Sequence, residues 1–185
     1  MSKMENNRSP WKTLNIKPIY KNPWIEVEEH DVINPSGKES IYGIVKFNNY
    51  AIGILPVDAE GNIWLIGQHR YPFDEYTWEI PEGGGNIIQD PLDNAKRELL
   101  EEAGIIAAKW ELIQEIQVSN SVTNERGFIY LATDLQFTEN APDEDEDLTI
   151  KKIHFSEAYQ MMERGEIKDS LTVIALLKGK ILMAH

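Results

Sequence analysis

The stretch AKRELLEEAGI, residues 95–105, places an arginine and three glutamates within six positions and then reaches a glycine. Asp90 can cap a helix, and Pro91 can occupy its first turn, where a missing N–H costs nothing. Gly104 can take the left-handed conformation that commonly follows a last helical residue. These signals predict a helix over residues 91–103.

One face of this helix is apolar and the neighbouring face is acidic. The apolar residues recur at helical spacing and predict a buried stripe: Leu92, Ala95, Leu99 and Ala103. Glu98 and Glu102 stand one turn apart with Glu101 beside them, and such like-charge spacing costs roughly a few tenths of a kcal/mol. The same carboxylates suit a hard cation such as Mg²⁺. Taken alone, the acidic face is more typical of a solvated surface, with Arg97 pairing with Asp93 or Glu101 or bracing the preceding loop.

The composition is that of a globular protein with one main domain. A chain of 185 residues, 42% hydrophobic and 26% charged, is long enough to bury a sizeable core. It has no cysteine, which excludes disulfides and thiolate metal sites. The first residues lack the apolar stretch of a signal peptide, and no run approaches the ~18 residues of a membrane helix. We therefore expect a cytoplasmic protein without membrane contact.

The net charge argues against nucleic acid as a partner. With 18 basic and 31 acidic side chains the formal charge is −13, which would repel a phosphate polymer. It would also repel a small phosphorylated substrate, unless bound metal cations reversed the local sign. The charge is thus compatible with a divalent-metal protein without requiring one.

Strand and helix signals predict a mixed α+β domain behind an N-terminal antiparallel β-hairpin. The hairpin joins residues 24–33 and 40–47, and a second hairpin joins 50–58 and 63–71, whose nearly all-apolar strands we expect to be buried. Further strands are predicted at 76–85, 110–118, 126–133 and 149–154, and helices at 156–164 and 169–180. The expected division is a mobile tail (1–10), an N-terminal β subdomain (11–48) and a main domain (49–185).

The residues from Gly83 to Ile105 resemble the signature of the Nudix hydrolases, a glycine followed at fixed spacing by Arg-Glu-aliphatic-x-Glu-Glu-x-Gly-aliphatic. Eight positions match: Gly83, Arg97, Glu98, Leu99, Glu101, Glu102, Gly104 and Ile105. Gln89 stands where the family usually has a glutamate that supports the loop. The resemblance implies the Nudix fold, a mixed β-sheet sandwiched between helices in an α/β/α arrangement.

Other segments resemble the Nudix branch that cleaves ADP-ribose and other nucleoside-diphosphate sugars. They are QHRYP (68–72), WEIPEGGG (78–85), VTNER (122–126) and EAYQMMERGEIKDSLTVIALL (157–177). The N-terminal hairpin fits this branch, whose members are homodimers with these strands packed across the partner. Ser119–Ser121 departs from the Ser-Pro-Gly that ADP-ribose cleavers often carry. The resemblance implies hydrolysis of a diphosphate bond to a nucleoside monophosphate and a sugar phosphate.

The same resemblance implies how the site would hold its metal. Glu98 and Glu102 would be the main ligands, Glu101 a further ligand, and the backbone carbonyl oxygen of Glu82 a main-chain ligand. Arg97 and Glu101 belong to the implied catalytic set. The cofactor would be Mg²⁺, with two or three ions bound and Mn²⁺ as a substitute.

Five residues are candidates for contact with the substrate. Arg70 corresponds to an arginine of the family that contacts the substrate phosphates, a role that suits a planar guanidinium. The alternative interpretation is that Arg70 is an ordinary arginine on the surface of a strand. Glu79 and Gly83 lie in the strand and loop that enter the signature. Trp24 and Tyr42 would stack a nucleobase, although stability roles suit them equally well.

The acidic loop at residues 139–147 contains six acids in nine positions, a pattern more typical of a solvated, mobile loop. Its sequence nevertheless resembles the loop that carries the general base in the nucleotide-sugar branch. Glu144 is slightly favoured over Glu146 as this base.

Two other functions remain open. The first alternative is a Nudix enzyme that acts on dinucleotides or damaged nucleotides. The second is a sensor that binds a nucleotide sugar without cleaving it. The N-terminal hairpin argues against the first alternative, and the intact Arg97, Glu98, Glu101 and Glu102 argue against the second.

Overall fold

The structure is a computed structural model that describes residues 9–138 and 148–183. The chain divides into two units. One comprises Met1–Asn48 and Ser119–Glu125, and the other comprises Asn49–Val118 and Arg126–His185. Within the described residues, the first unit is a small β-sheet and the second contains all the helices.

The predicted N-terminal hairpin is confirmed, and a third strand extends it into an antiparallel sheet. The strands, in their spatial order, are β1 (Lys12–Lys21), β2 (Ile25–Ile33) and β3 (Glu39–Phe47). Gly37 takes a φ of +80° in the β2–β3 turn. The sequence patterns do not predict β1, which contains Pro18. An edge strand tolerates this proline because one row of its N–H groups has no partner in the sheet.

The second unit follows the mixed order that the sequence predicts. Its elements are β4 (Asn49–Pro56), β5 (Asn62–Arg70), β6 (Glu75–Glu79), β7 (Glu82–Asn86), α1 (Pro91–Ala103), β8 (Ile105–Gln117), β9 (Arg126–Phe137), β10 (Thr149–His154), α2 (Phe155–Glu163) and α3 (Ser170–Leu182).

The predicted second hairpin is wrong, because β4 and β5 belong to different sheets. β4 lies in a mixed sheet of order β7-β4-β9-β8, where it runs parallel to β9. β5 lies in an antiparallel sheet of order β10-β5-β6. A single bridge between Val57 and Ile63 joins the two strands beside their connecting turn. Both strands are largely buried, as expected. An apolar run predicts burial but does not indicate which strand it pairs with.

The predicted strand at 76–85 is two strands, β6 and β7, separated at Ile80 and Pro81. Pro81 has no N–H and cannot continue a ladder, but its carbonyl accepts the Ile54 N–H at 2.9 Å. The chain thereby leaves the β5 sheet and enters the β4 sheet. Glu79 and Glu82 consequently stand where the two sheets meet.

The mixed sheet lies between helices, which confirms the expected α/β/α arrangement. Ile54 of β4 packs into a core that includes Leu99 of α1. The next residue, Leu55, points to the opposite face and packs into a core that includes Ala175 of α3. Alternate side chains of β4 therefore contribute to two separate cores.

Helix α1 has the bounds and caps that the sequence predicts. Asp90 Oδ1 accepts the Leu92 N–H at 2.8 Å, and Gly104 adopts the left-handed conformation with φ 64° and ψ 29°. Ala95 and Leu99 of the apolar stripe are fully buried. Among the described residues, no helix is both long enough and apolar enough to span a membrane.

Candidate active site

The β6–β7 turn and helix α1 bring two motif glutamates against the backbone. Glu98 and Glu102 are only 7% and 6% exposed, so this face of α1 is not the solvated surface that a charged helix commonly presents. Glu102 Oε2 accepts the Glu82 N–H at 2.8 Å. The two carboxylates therefore lie beside the start of β7, where the family resemblance implies a main-chain metal ligand.

Gly83 leaves space that the Glu98 carboxylate occupies. A β-carbon built on Gly83 would lie 2.4 Å from the carboxyl carbon and from one oxygen of Glu98. Such a distance is far below van der Waals contact, and the obstructing atoms belong to a buried charged group. Glycine is required at this position because it lets the backbone approach the carboxylate.

Arg97 braces both the glutamates and the loop. Its Nη1 donates to Glu101 Oε2 at 2.6 Å, and its Nη2 donates to Glu98 Oε1 at 2.6 Å and to the Gly84 carbonyl at 3.2 Å. Two of the alternatives left open by the sequence, pairing with Glu101 and bracing the loop, thus occur together. Asp93 instead pairs with Lys96 at 3.4 Å.

Asn94 fixes the connection between β7 and α1 and was missed by the sequence analysis. It is 1% exposed, and its Oδ1 accepts the Asn86 N–H at 3.1 Å. Its Nδ2 donates to the Asn86 and Asp90 carbonyls, each at 3.2 Å. Its position one turn before Glu98, on the same face of the helix as Glu98 and Glu102, was the available signal. Gln89, in the same connection, is exposed.

Arg70, the last residue of β5, is held by two carboxylates. Its Nε and Nη2 donate to Glu79 at 2.5–3.1 Å, and Nη2 also donates to Glu82 Oε1 at 3.0 Å. Glu79 is 3% exposed and also accepts from Thr77 and Gln68. Glu79, a candidate for substrate contact, therefore lies beneath Arg70 and fixes its orientation. Arg70 Nη1 has no hydrogen bond within residues 9–138 and 148–183.

Asp169, which the sequence analysis does not select, ties α3 to this region. Its Oδ2 accepts from the N–H and the hydroxyl of Thr172 at 2.7 and 2.9 Å. Thr172 Oγ1 in turn accepts the Ile80 N–H at 3.0 Å. An N-cap followed by a threonine was visible in the sequence, but its proximity to the β6–β7 turn depends on tertiary packing.

Glu79, Glu82 and Asp169 form a carboxylate trio, in which one oxygen from each lies within 4.8 Å of the other two. Within the described part of the chain, no other set of three acids or histidines is gathered this closely, the motif glutamates included. Burial, reinforced by the negative charges of Asp169 and Glu79, raises the pKa of the Glu82 carboxyl well above its usual range. This carboxyl therefore resists ionisation unless a cation or a hydrogen-bond donor reaches it.

A cavity of about 540 Å³ opens over this trio, and we call it the Arg70 pocket. Its walls come from the ends of β5 and β6, the start of β7 and the residues that begin α3. Lys168 and Glu75 form an ion pair of 2.8 Å at the pocket, where both side chains remain more than half exposed. Phe73, in the β5–β6 turn, is 76% exposed.

The remaining candidates lie elsewhere in the chain. Trp24 and Tyr42 belong to the first unit, where Trp24 is 66% exposed and the Tyr42 hydroxyl donates to the Ser121 carbonyl at 2.5 Å. Glu144 and Glu146 lie outside the described residues.

Two protein-family profiles match the chain. Residues 48–174 match a family profile described as the NUDIX domain. The chain belongs to the Nudix family. A second profile, described as the nucleoside diphosphate sugar hydrolase N-terminal domain, matches residues 11–45.

Individual Nudix relatives match most of the chain. It is 32% identical over 167 residues to an ADP-ribose pyrophosphatase of Bacillus subtilis. The aligned region covers 89% of this chain and 90% of the relative. It is 31% identical, with the same coverage, to a Bacillus methanolicus protein named methanol dehydrogenase activator. A crystal structure described as that of an ADP compounds hydrolase covers 94% of both chains with a TM-score of 0.84 at 20% identity, which shows the same fold. The Nudix protein is therefore a hydrolase similar to ADP-ribose pyrophosphatases, as the motif resemblance implies.

Proposed function

We propose that this Nudix hydrolase cleaves the diphosphate bond of a nucleoside-diphosphate sugar in the presence of Mg²⁺. The products are a nucleoside monophosphate and a sugar phosphate. The observation that carries the proposal is the burial of Glu98 and Glu102 against the Glu82 backbone, in space that glycine leaves at position 83. The match of residues 11–45 to an N-terminal domain of nucleoside diphosphate sugar hydrolases supports this substrate class.

The residues present suit a hard divalent cation. Glu98, Glu102 and the carbonyl oxygen of Glu82 would be its ligands, with Glu101 as a further ligand, and all four supply the oxygen atoms that Mg²⁺ prefers. Glycine at position 83 leaves space for the Glu98 carboxylate. Any residue with a β-carbon at this position would clash with that carboxylate. When bound, the cation neutralises diphosphate oxygens and lowers the pKa of the attacking water.

The protein's own side chains position this chemistry. Arg97 holds Glu98 and Glu101 in fixed orientations and anchors them to the loop through the Gly84 carbonyl. Arg70 is held from below by Glu79, so that Nη1 remains available to a substrate phosphate oxygen. Water attacks one phosphorus, and the bridging P–O bond breaks, so that the second phosphate leaves with its sugar or nucleoside.

The general base is assigned to the acidic loop, with Glu144 favoured. Glu144→Gln is expected to lower kcat by about 10²–10⁴-fold, the usual scale for a general base, with little change in KM because the residue acts on water. Steady-state kinetics of this variant and of Glu146→Gln measure the effect. A larger loss of kcat in Glu146→Gln than in Glu144→Gln would assign the general base to Glu146 instead. A small effect even in the double variant would contradict the loop assignment and favour Glu101.

The active form is proposed to be a homodimer assembled largely through residues 11–50. β1 is exposed along its whole length, and its apolar side chains include Ile16 and Ile19, which are 50% and 62% exposed. A small sheet with one uncovered apolar surface needs a partner to bury it. Trp24 and Tyr42, in the same unit, are the proposed nucleobase contacts.

Ile16→Lys is expected to convert the dimer to a monomer, because a charge at the centre of β1 cannot be buried without a partner. Light scattering at micromolar concentration measures the mass. Leu112→Lys, at a 48% exposed position of β8 outside residues 11–50, serves as the control that remains a dimer. A wild-type protein that is monomeric and fully active would contradict the proposal.

A substrate panel tests the proposed function and its alternatives. We expect hydrolysis of at least one of ADP-ribose, GDP-mannose, ADP-glucose and UDP-glucose in Mg²⁺ and none in EDTA. Turnover of dinucleotides or oxidised nucleoside triphosphates, with no turnover of the nucleotide sugars, would favour another Nudix substrate class. Binding of a nucleotide sugar without cleavage would favour a sensor.

A further inference from the structure

Three buried polar side chains form a column on the face of α1 that lies against β7. Asn94, Glu98 and Glu102 stand at successive turns of the helix and are 1%, 7% and 6% exposed. Residues four apart lie one above the other on a helix. The two glutamates are proposed metal ligands, whereas Asn94 carries a neutral amide at the N-terminal end of the column. The column therefore extends beyond the ligands to a residue of different chemistry.

The side chains of α1 take the place of a neighbouring strand along β7. This strand is at the edge of its sheet, where β4 is its partner. In an antiparallel pair the backbone groups of alternate residues point toward the partner and away from it. Contacts with α1 accordingly recur at every second residue of β7: the Glu82 N–H with Glu102, the Gly84 carbonyl with Arg97, and the Asn86 N–H with Asn94.

The contact made by Asn94 holds both backbone groups of one residue. Its Oδ1 accepts the Asn86 N–H at 3.1 Å, and its Nδ2 donates to the Asn86 carbonyl at 3.2 Å. Nδ2 also donates to the Asp90 carbonyl at 3.2 Å. The strand passes close by, since a β-carbon built on Gly85 would lie 3.1 Å from the amide carbon of Asn94. Asn94 thus ties the end of β7 to the start of α1.

This contact is independent of the charged groups that would hold a metal. Glu102 is itself a proposed ligand, and Arg97 donates to the carboxylates of Glu98 and Glu101. A bound cation draws on the same carboxylates that make or brace these two contacts. The hydrogen bonds of Asn94 instead join an uncharged amide to backbone groups. They can therefore hold β7 in place whether or not a metal is bound.

We propose that Asn94 is a positioning residue that sets the metal affinity of the site. It holds β7 at the register in which the Glu82 carbonyl meets the carboxylates of Glu98 and Glu102. This inference rests on the proposed function, which supplies the ligand set. Without the Asn94 hydrogen bonds the metal-binding arrangement is only one of several, and the apparent Kd rises by the inverse of its population. Saturating metal selects that arrangement again, so the loss is seen in affinity and not in the saturated rate.

The test measures metal binding by the substrate-free protein. Asn94→Ala removes the amide, and Asn94→Leu removes its hydrogen bonds but keeps a branched side chain. Gln117→Ala, which removes an exposed amide at the end of β8, is the matched control. Electron paramagnetic resonance gives the Kd for Mn²⁺, and hydrogen exchange with and without Mg²⁺ reports the order of residues 82–86. Urea unfolding gives the stability of each variant, and steady-state kinetics give kcat and KM.

We expect the Kd for Mn²⁺ to rise about 10-fold to 100-fold in both Asn94 variants, which corresponds to a metal-binding arrangement populated at about 1–10%. Residues 82–86 should exchange faster in the metal-free variants and regain the protection of the wild type in Mg²⁺. At saturating Mg²⁺, kcat and KM should stay within about threefold of the wild type. Gln117→Ala should match the wild type throughout. If Asn94→Ala does not fold, Asn94→Leu decides the outcome.

Three results would overturn the inference while leaving the proposed function intact. An unchanged Kd for Mn²⁺ together with lower stability would make Asn94 a structural residue only, as would failure of both variants to fold. A lower kcat at saturating Mg²⁺ with an unchanged Kd would place its effect on the chemical step. Failure of the proposed function looks different, since the wild type itself would then bind no Mn²⁺, and the inference would fall with it.

Discussion

Glu98→Gln and Glu102→Gln are each expected to lower kcat by about 10³-fold or more in saturating Mg²⁺ while leaving the fold intact. The amide keeps the shape of the side chain but removes its charge, and several kcal/mol of transition-state stabilisation depend on the bound metal. The amide oxygen of glutamine can still accept the Glu82 N–H that Glu102 accepts at 2.8 Å. Steady-state kinetics across a Mg²⁺ titration, with circular dichroism of each variant, measure the effect.

Asp93→Asn is the matched control, since it removes a carboxylate charge from the same helix. Asp93 is 69% exposed and pairs with Lys96 rather than with the site. This variant should keep the activity of the wild type. Near-normal turnover of either glutamine variant in saturating Mg²⁺ would show that the ligand assignment is wrong.

Gly83→Ala is expected to reduce kcat by about 10²-fold or more. The new β-carbon would lie 2.4 Å from the carboxyl carbon of Glu98, so either the loop or the carboxylate must move. A displacement of about 1 Å in a catalytic site can cost 10²-fold in rate. Overpacking would also destabilise the protein by about 1–3 kcal/mol. Kinetics and urea unfolding of the same preparation separate the two effects.

Gly84→Ala provides the comparison, because the nearest atom to its β-carbon would be Asn49 Nδ2, at 3.1 Å. That atom is the end of a side chain that can rotate, so we expect a loss of less than about tenfold. Equal activities for the two alanine variants would mean that the close approach at Gly83 has no part in catalysis.

Local signals were sufficient to predict helix α1 and the motif face. The cap at Asp90, the left-handed Gly104 and the spacing of Glu98 and Glu102 all depend on residues within one helix. The same holds for the β2–β3 hairpin, whose turn residues lie between its strands. Such features are properties of short segments, and short segments are what a sequence pattern describes.

The pairing of strands far apart in the chain could not be predicted from the sequence. The apolar runs of β4 and β5 predicted burial correctly, but their assignment to one hairpin was wrong because each pairs with strands far along the chain. Asp169 is 87 residues from Glu82 in the chain, and only the packing of α3 against the sheet brings them together. Glu79 was selected from the sequence as a substrate contact, but its hydrogen bonds to Arg70 depend on the pairing of β5 with β6.

The identity of the products formed with and without Mg²⁺ tests the central claim most directly. Phosphorus-31 NMR of a nucleotide sugar that the substrate panel selects reports both halves at once. We expect the two diphosphate resonances to be replaced by two phosphomonoester resonances, one of a nucleoside monophosphate and one of a sugar phosphate, with no change in EDTA and with restoration when Mg²⁺ is added back. Release of inorganic phosphate alone, or the same cleavage in EDTA, would contradict the account of a metal-dependent diphosphate hydrolase.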